Sequence, residues 1–150
     1  MAYDPESLLR KVHSFLAASG RFPGGAGIGE PKSAPASMFA AVLLGDIRFA
    51  DNSLATSSAR MEIIVRVYRN AFSEPLENTE LTLGKTAFEL LEDFAADFDF
   101  GDSSVRGPLP LEVQIRLGYI GIGPAGGQTM YRTMDITLPI VINDVVTWTK

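Results

Sequence analysis

Three groups of residues carry side chains or backbone amides whose types and spacing could do chemistry. The first is the run Gly24-Gly25-Ala26-Gly27-Ile28-Gly29-Glu30-Pro31-Lys32-Ser33, which has the composition of a loop that cradles phosphates with backbone N–H groups and a lysine. In a working phosphate loop the Lys and Ser follow the last glycine directly, a strand comes before and a helix after. Here Glu30 and Pro31 intervene, Glu30 repels phosphate and a helical pattern comes before, so a flexible loop is the favoured reading. The second is His13, the only histidine. A histidine base needs a nucleophile and an orienting acid, which no spacing here supplies, and it reads as a surface residue at the edge of a helix stripe. With one His and no Cys the common zinc ligand sets cannot be assembled. The third is Glu89, Asp93 and Asp97, at four-residue steps, with Glu92, Asp99 and Asp102 nearby. Carboxylates so spaced repel one another modestly and ordinarily form a solvated face; a cation site and the wall of an acidic passage are the alternatives. No catalytic residue, cofactor site or metal site is assigned, and the chain reads as non-enzymatic.

The elements that position these residues follow from periodicity and caps. Asp4, Pro5 and Glu6 form a helix start, Leu8, Leu9, Val12, Phe15 and Leu16 recur on one helical face, and Gly20 supplies a left-handed stop. A first helix is expected from Asp4 to Ser19. Residues 20–37 hold five glycines and three prolines in eighteen positions, which excludes a helix or a central strand and predicts a long flexible arm. Met38 to Phe49 reads as a buried strand. A second flexible loop is expected over 50–59, where Asp51 to Ala59 is rich in Asn, Ser and Thr. From Arg60 to Arg69, Met61, Ile63, Val65 and Val67 alternate with Arg60, Glu62, Arg66 and Tyr68, with Ile64 the exception on the polar face. Leu83, Ala87, Leu90, Leu91, Phe94 and Phe98 make the stripe of a second helix from Glu80 to Asp97, in which Gly84 suggests a close approach to another backbone. Leu111, Val113, Ile115 and Leu117 predict a half-buried strand continuing with a bend through Gly118 to Gly123; Met130, Met134, Ile136, Leu138 and Ile140 predict a returning strand whose far end, at Pro139, lies at a sheet edge. The sum is one α+β domain over residues 1–150, two main helices packed on one face of a mainly antiparallel sheet, with long flexible loops.

Composition narrows the function classes. Hydrophobic residues at 46% and charged ones at 21% describe a folded globular chain. No apolar run reaches the roughly 18 residues that cross a bilayer, and the first residues lack a signal core, so no membrane is expected. The absence of cysteine suits a reducing cytoplasm. A net charge of −5 with scattered Lys and Arg argues against a general nucleic-acid binder. Phe88 projects away from the core stripe of the second helix; with Phe22 and Trp148 it is a candidate subunit contact, loop packing being the other reading.

One string of features has a counterpart in a known family. Val65-Arg66-Val67-Tyr68 ending a strand, a long amphipathic helix, Val105-Arg106-Gly107, Gly118-Tyr119-Ile120, Tyr131-Arg132 with Asp135, and Val141-Ile142-Asn143-Asp144-Val145 occur in that order. In this, Arg60 to Lys150 resembles the tail terminator proteins of long-tailed (siphovirus-like) bacteriophages. The resemblance implies helices against a β-sheet, assembly of identical subunits into a sixfold ring, and a place in the virion at the tail–neck junction. Such a ring, made in the host cytoplasm, caps the last ring of tail tube protein, ends tube polymerisation and offers its other surface to the head–tail connector or stopper. Genomic DNA passes through it without specific binding, which suits an acidic wall. Another head–tail connector or neck protein is the alternative, and a small ligand-binding domain or enzyme the reading from a different class.

Overall fold

The computed structural model describes residues 3–51, 56–72, 74–96, 105–106, 113–124 and 127–147. Helix α1 spans Pro5–Ala18, as the cap and stripe predict. Asp4 has extended backbone and its Oδ1 accepts from the Glu6 N–H at 3.0 Å, satisfying one of the helix's free donors. Leu8, Val12 and Leu16 are its buried stripe, and Gly20 follows at φ 71°, a left-handed conformation costly for any residue with a Cβ.

Six strands follow among the described residues: β1 (Ala26–Ile28), β2 (Phe39–Asp51), β3 (Thr56–Asn70), β4 (Val105–Arg106), β5 (Gln114–Ile122) and β6 (Thr129–Thr147), with helix α2 (Leu76–Ala96) between β3 and β4. Their order across the sheet is β1-β2-β3-β6-β4, with β5 also paired to β6. Only β1 with β2 is parallel; the other pairings are antiparallel. The fold is α+β, with both helices on one face.

That face holds the main core. Val42 of β2, Met61, Ile63, Val65 and Val67 of β3, and Met134, Ile136, Leu138, Ile140 and Ile142 of β6 pack against Leu8, Val12 and Leu16 of α1 and Leu83, Ala87, Leu90 and Phe94 of α2. The two helices meet where Phe15 stacks on Phe94, ring centroids 5.2 Å apart. α2 begins at Leu76, earlier than its stripe indicates. Pro75 sits just before the first turn and its carbonyl accepts from Asn78 and Thr79, a start signal that carries no apolar period.

Three expectations change. The segment over 20–37 is not a free arm: β1 lies within it, and Gly24 N–H to Met38 O, Ala40 N–H to Gly25 O and Gly29 N–H to Val42 O bind it along β2 at 2.9–3.1 Å. Gly24 has a packing reason, since a Cβ there would lie 2.5 Å from the Ser37 carbonyl oxygen. The residues beyond β1 cross the helix-free face as a strap: Glu30 pairs with Arg66 of β3, and Tyr131 of β6 donates to the Pro35 carbonyl at 2.7 Å. Beneath the strap Ala41, Tyr68, Ile122 and Tyr131 form a second small core with Phe39 and Ile120, so Tyr68, assigned to a polar face by alternation, is fully buried. Over 50–59, β2 reaches Asp51 and β3 begins at Thr56, the two staying in register from Phe49↔Ala59 to Asp51↔Ser57, so these positions are strand rather than loop; 52–55 lie outside the described residues. Pro139 lies in a central strand, not at an edge. It faces Glu62 of β3, and on its other side the β5 pairing ends at Thr137 and the β4 pairing begins at Val141. A residue without an N–H fits at such a change of neighbour.

Candidate assembly surface

The polar residues singled out in the sequence are occupied with holding elements together. His13 lies on α1 with Nε2 2.9 Å from the Ala26 carbonyl oxygen; as that oxygen can only accept, Nε2 carries the proton and ties α1 to β1. In the glycine-rich run, Ala26, Gly27 and Ile28 are taken up as β1 in pairing with β2, and Glu30 is engaged by Arg66. Glu89 and Asp93 remain about one third exposed and share one cation. Arg21 donates through Nε and Nη2 to Asp93 at 2.9 and 3.3 Å and through Nη1 to Glu89. The repulsion expected within the acidic stripe is relieved by this cation from another segment, and the Asp93 hydrogen bond raises the Arg21 pKa. Asp97 lies outside the described residues, as does Trp148. Among the described residues no group of three or more His, Asp or Glu is arranged to hold a metal ion.

Three further arginines follow the same pattern. Arg66 grips Asp135 with two bonds of 2.7 and 2.9 Å, Nε to Oδ1 and Nη2 to Oδ2, which raises its pKa further and keeps it charged. Arg69 holds Glu74 at 2.6 Å and lowers that carboxyl's pKa, with help from the Thr79 hydroxyl. Arg132 donates to Glu80 of α2 at 2.9 Å and to the Gly118 carbonyl of β5 at 3.1 Å, and lies 4.2 Å over the Tyr119 ring. A hollow of about 420 Å³ opens between Arg21, Pro23, Pro35, Ser37, Arg69 and Tyr131. Both of its cations are already paired, so it offers little to an anionic ligand.

Unsatisfied surface of another kind is plentiful. Leu81 and Phe88 on the outer face of α2 are each 73% exposed. They lie seven residues apart, nearly two full turns, and so project from one side. Phe88 is thus not packed beneath a loop. Phe22, by contrast, is only 8% exposed and belongs to the helix-side core, which removes it as a subunit contact. Two more apolar rows lie at the margins of the sheet. On β2, Leu44, Ile47 and Phe49 pair in register with the buried Ile63, Met61 and Ala59 and share their face, yet remain exposed, Phe49 at 68%. On β5, Ile115, Leu117 and Tyr119 pair with Ile136, Met134 and Arg132, again on the helix-bearing face, and remain exposed. β5 is therefore not half-buried, and β2 is buried only in its first half.

The uncovered rows lie at the sides of the sheet. α1 packs on β1 and β2, and α2 on β3 and β6, so that Met61, Ile63, Leu138, Ile140 and Ile142 are buried at the level of the β2 row. The far half of β2 and the whole of β5 flank this covered strip, and their apolar residues stay open. Alternation in the sequence tells which face a residue takes, not whether anything covers that face.

Compared with known proteins, no family model matches the chain, and no curated protein is similar enough to count as a relative.

Proposed function

We propose that this chain is a structural virion protein that assembles with its own copies into a ring at the head-proximal end of a long-tailed phage's tail tube, ends tube growth and joins tail to head. The observation that carries the reading is the placement of the exposed apolar side chains. Eight of the twelve large apolar side chains exposed among the described residues fall in three rows, on the outer face of α2, on β2 and on β5, and exposed apolar surface that gathers in this way marks contacts with other proteins. The residues that carry the resemblance to tail terminators also meet in space. Arg66 pairs with Asp135, Tyr68 sits edge-on to Tyr131 at 6.2 Å, and Arg132 covers Tyr119. These residues brace the sheet, which suits a scaffold whose job is geometric.

The charge balance supports the same reading. The net charge is −5, and Arg21, Arg66, Arg69 and Arg132 are each engaged by carboxylates of the same chain. These four cations are less free to grip phosphates, and the acidic balance favours smooth passage of DNA.

The test is electron microscopy of particles made when the gene is silenced by an early stop codon in its parent phage. Overlong or ragged tails apart from filled heads are expected. Finished tails of normal length beside tailless heads would move the protein to the neck, and ordinary virions would sink both readings.

A further inference from the structure

We propose that the strap over residues 29–38 opens as a unit while the sheet and helices stay folded, uncovering an aromatic surface of Phe39, Tyr68 and Tyr131 on the helix-free face. The proposal stands apart from the ring reading.

The strap takes the place of a crossover. β1 and β2 are parallel neighbours, so the chain must return along the length of β1 before β2 can begin. Such a return ordinarily needs roughly a dozen residues or more and carries a helix that covers the sheet face beneath it. Here it has ten residues and no helix. The Gly29 N–H bonds the Val42 carbonyl, Glu30 meets Arg66 of β3, Pro35 reaches Tyr131 of β6, and the Met38 carbonyl accepts from Gly24 as the chain comes back to β2. Tyr68 and Tyr131 lie within this circuit and are fully buried, although no helix packs on their face.

Little holds the strap between its ends. Pro31 and Pro35 have no N–H to donate, and Lys32, Ser33, Ala34, Ala36 and Ser37 are exposed. Among the described residues two side-chain bonds tie it to the sheet, Arg66 to Glu30 and Tyr131 to the Pro35 carbonyl. A segment with little buried apolar surface and few protected bonds opens at a free energy well below that of global unfolding.

Opening strands no charge. Arg66 keeps both bonds to Asp135, and Glu30, already 59% exposed, passes into water. The Tyr131 hydroxyl exchanges a carbonyl for water. Tyr68 gains a partner: its hydroxyl is buried without a hydrogen bond of good geometry, the Arg66 guanidinium being its polar neighbour, and water reaches it once the strap lifts. The aromatic rings themselves sit on strands, with Phe39 and Tyr131 at centroid distances of 6.1 and 6.2 Å from Tyr68. They keep that arrangement whether the strap is closed or open, so the uncovered surface is preformed.

The chain has no cysteine, so single thiols can separate local from global opening. Ala41 lies beneath the strap and Ala40 in the core under the helices, both fully buried. In the full-length protein, Ala41→Cys is expected to react with a thiol reagent at least about tenfold faster than Ala40→Cys. Its rate should be nearly flat in low urea while the Ala40→Cys rate climbs steeply, because global unfolding exposes far more surface. Adding Tyr131→Phe removes one tie and should raise the Ala41→Cys rate about tenfold. Equal rates with equal urea dependence, or an Ala41→Cys rate indifferent to Tyr131→Phe, overturn the proposal. Because a thiol at either site can upset packing, trypsin is also applied to the unaltered protein. Cleavage between Lys32 and Ser33 with native circular dichroism retained is expected, and a strap cut no faster than the whole chain unfolds overturns the proposal even where the thiol variants fail to fold.

Discussion

The arginine pairs are the residue-scale device that locks this fold. Arg66 and Asp135 sit on adjacent central strands, mostly covered, and Arg66 also carries the strap through Glu30. Asp135→Asn keeps the size and removes the charge that Arg66 needs, at an expected cost of about 1–3 kcal/mol in urea denaturation. Tyr68 and Tyr131 give a second prediction. Burial raises both phenol pKa values, so the folded state retains protons that the unfolded state releases. Stability from these groups is full below about pH 10, the unfolded value, and is lost as pH rises from there through the folded values. In a spectrophotometric titration, Tyr68 and Tyr131 ionise late, and the late fraction disappears on unfolding in urea. An unfolding-independent titration would falsify this assignment. None of the arginine partners to Asp93, Asp135 or Glu80 was legible in the sequence. They stand 72, 69 and 52 positions apart, whereas spacing rules reach only across a turn or two of helix. Arg69 and Glu74 are close in sequence, but the turn between them has no periodic signature.

Elements were more legible where local physics decides them. α1 was readable to its caps because Asp4, Pro5 and Gly20 act within a few residues, and β3 because its core face alternates cleanly. β1 was hidden because a short parallel strand beside β2 needs backbone pairing rather than side-chain pattern, and its glycines read as loop. Gly84 belongs to this scale as well. Its expected close neighbour does not exist among the described residues, since a Cβ there meets nothing within 4 Å. Gly84→Ala should therefore stabilise the isolated chain by about 0.5–1 kcal/mol through helix propensity alone, seen as a raised melting temperature. A loss of stability would mean that another backbone packs against α2 there.

For the whole molecule, what sequence could not give was the extent of cover. The faces of β2 and β5 were readable, but which stretches of them the helices leave uncovered became visible only in the assembled fold. Phe88 tests the resulting picture of a body whose outer apolar surface serves contact rather than folding. Phe88→Ser should leave the stability of the isolated chain within about 0.5 kcal/mol of the parent, as a site exposed to water does, while a side chain buried under a loop would cost about 3 kcal/mol or more. Chemical denaturation of the monomer separates the two. The place of β6 between β3 and β4–β5 has one more consequence, for the order of events at synthesis. β6 is the strand with which β3, β4 and β5 all pair, and the ribosome makes it after those partners. The ladder that joins β3 to β6 brings together residues some 60 to 90 positions apart, a topology that folds slowly, on the order of milliseconds to seconds. Until Thr129–Thr147 emerges, β3 has one neighbour and the half-formed sheet has no centre, so the nascent chain waits, exposed, for the strand that completes it.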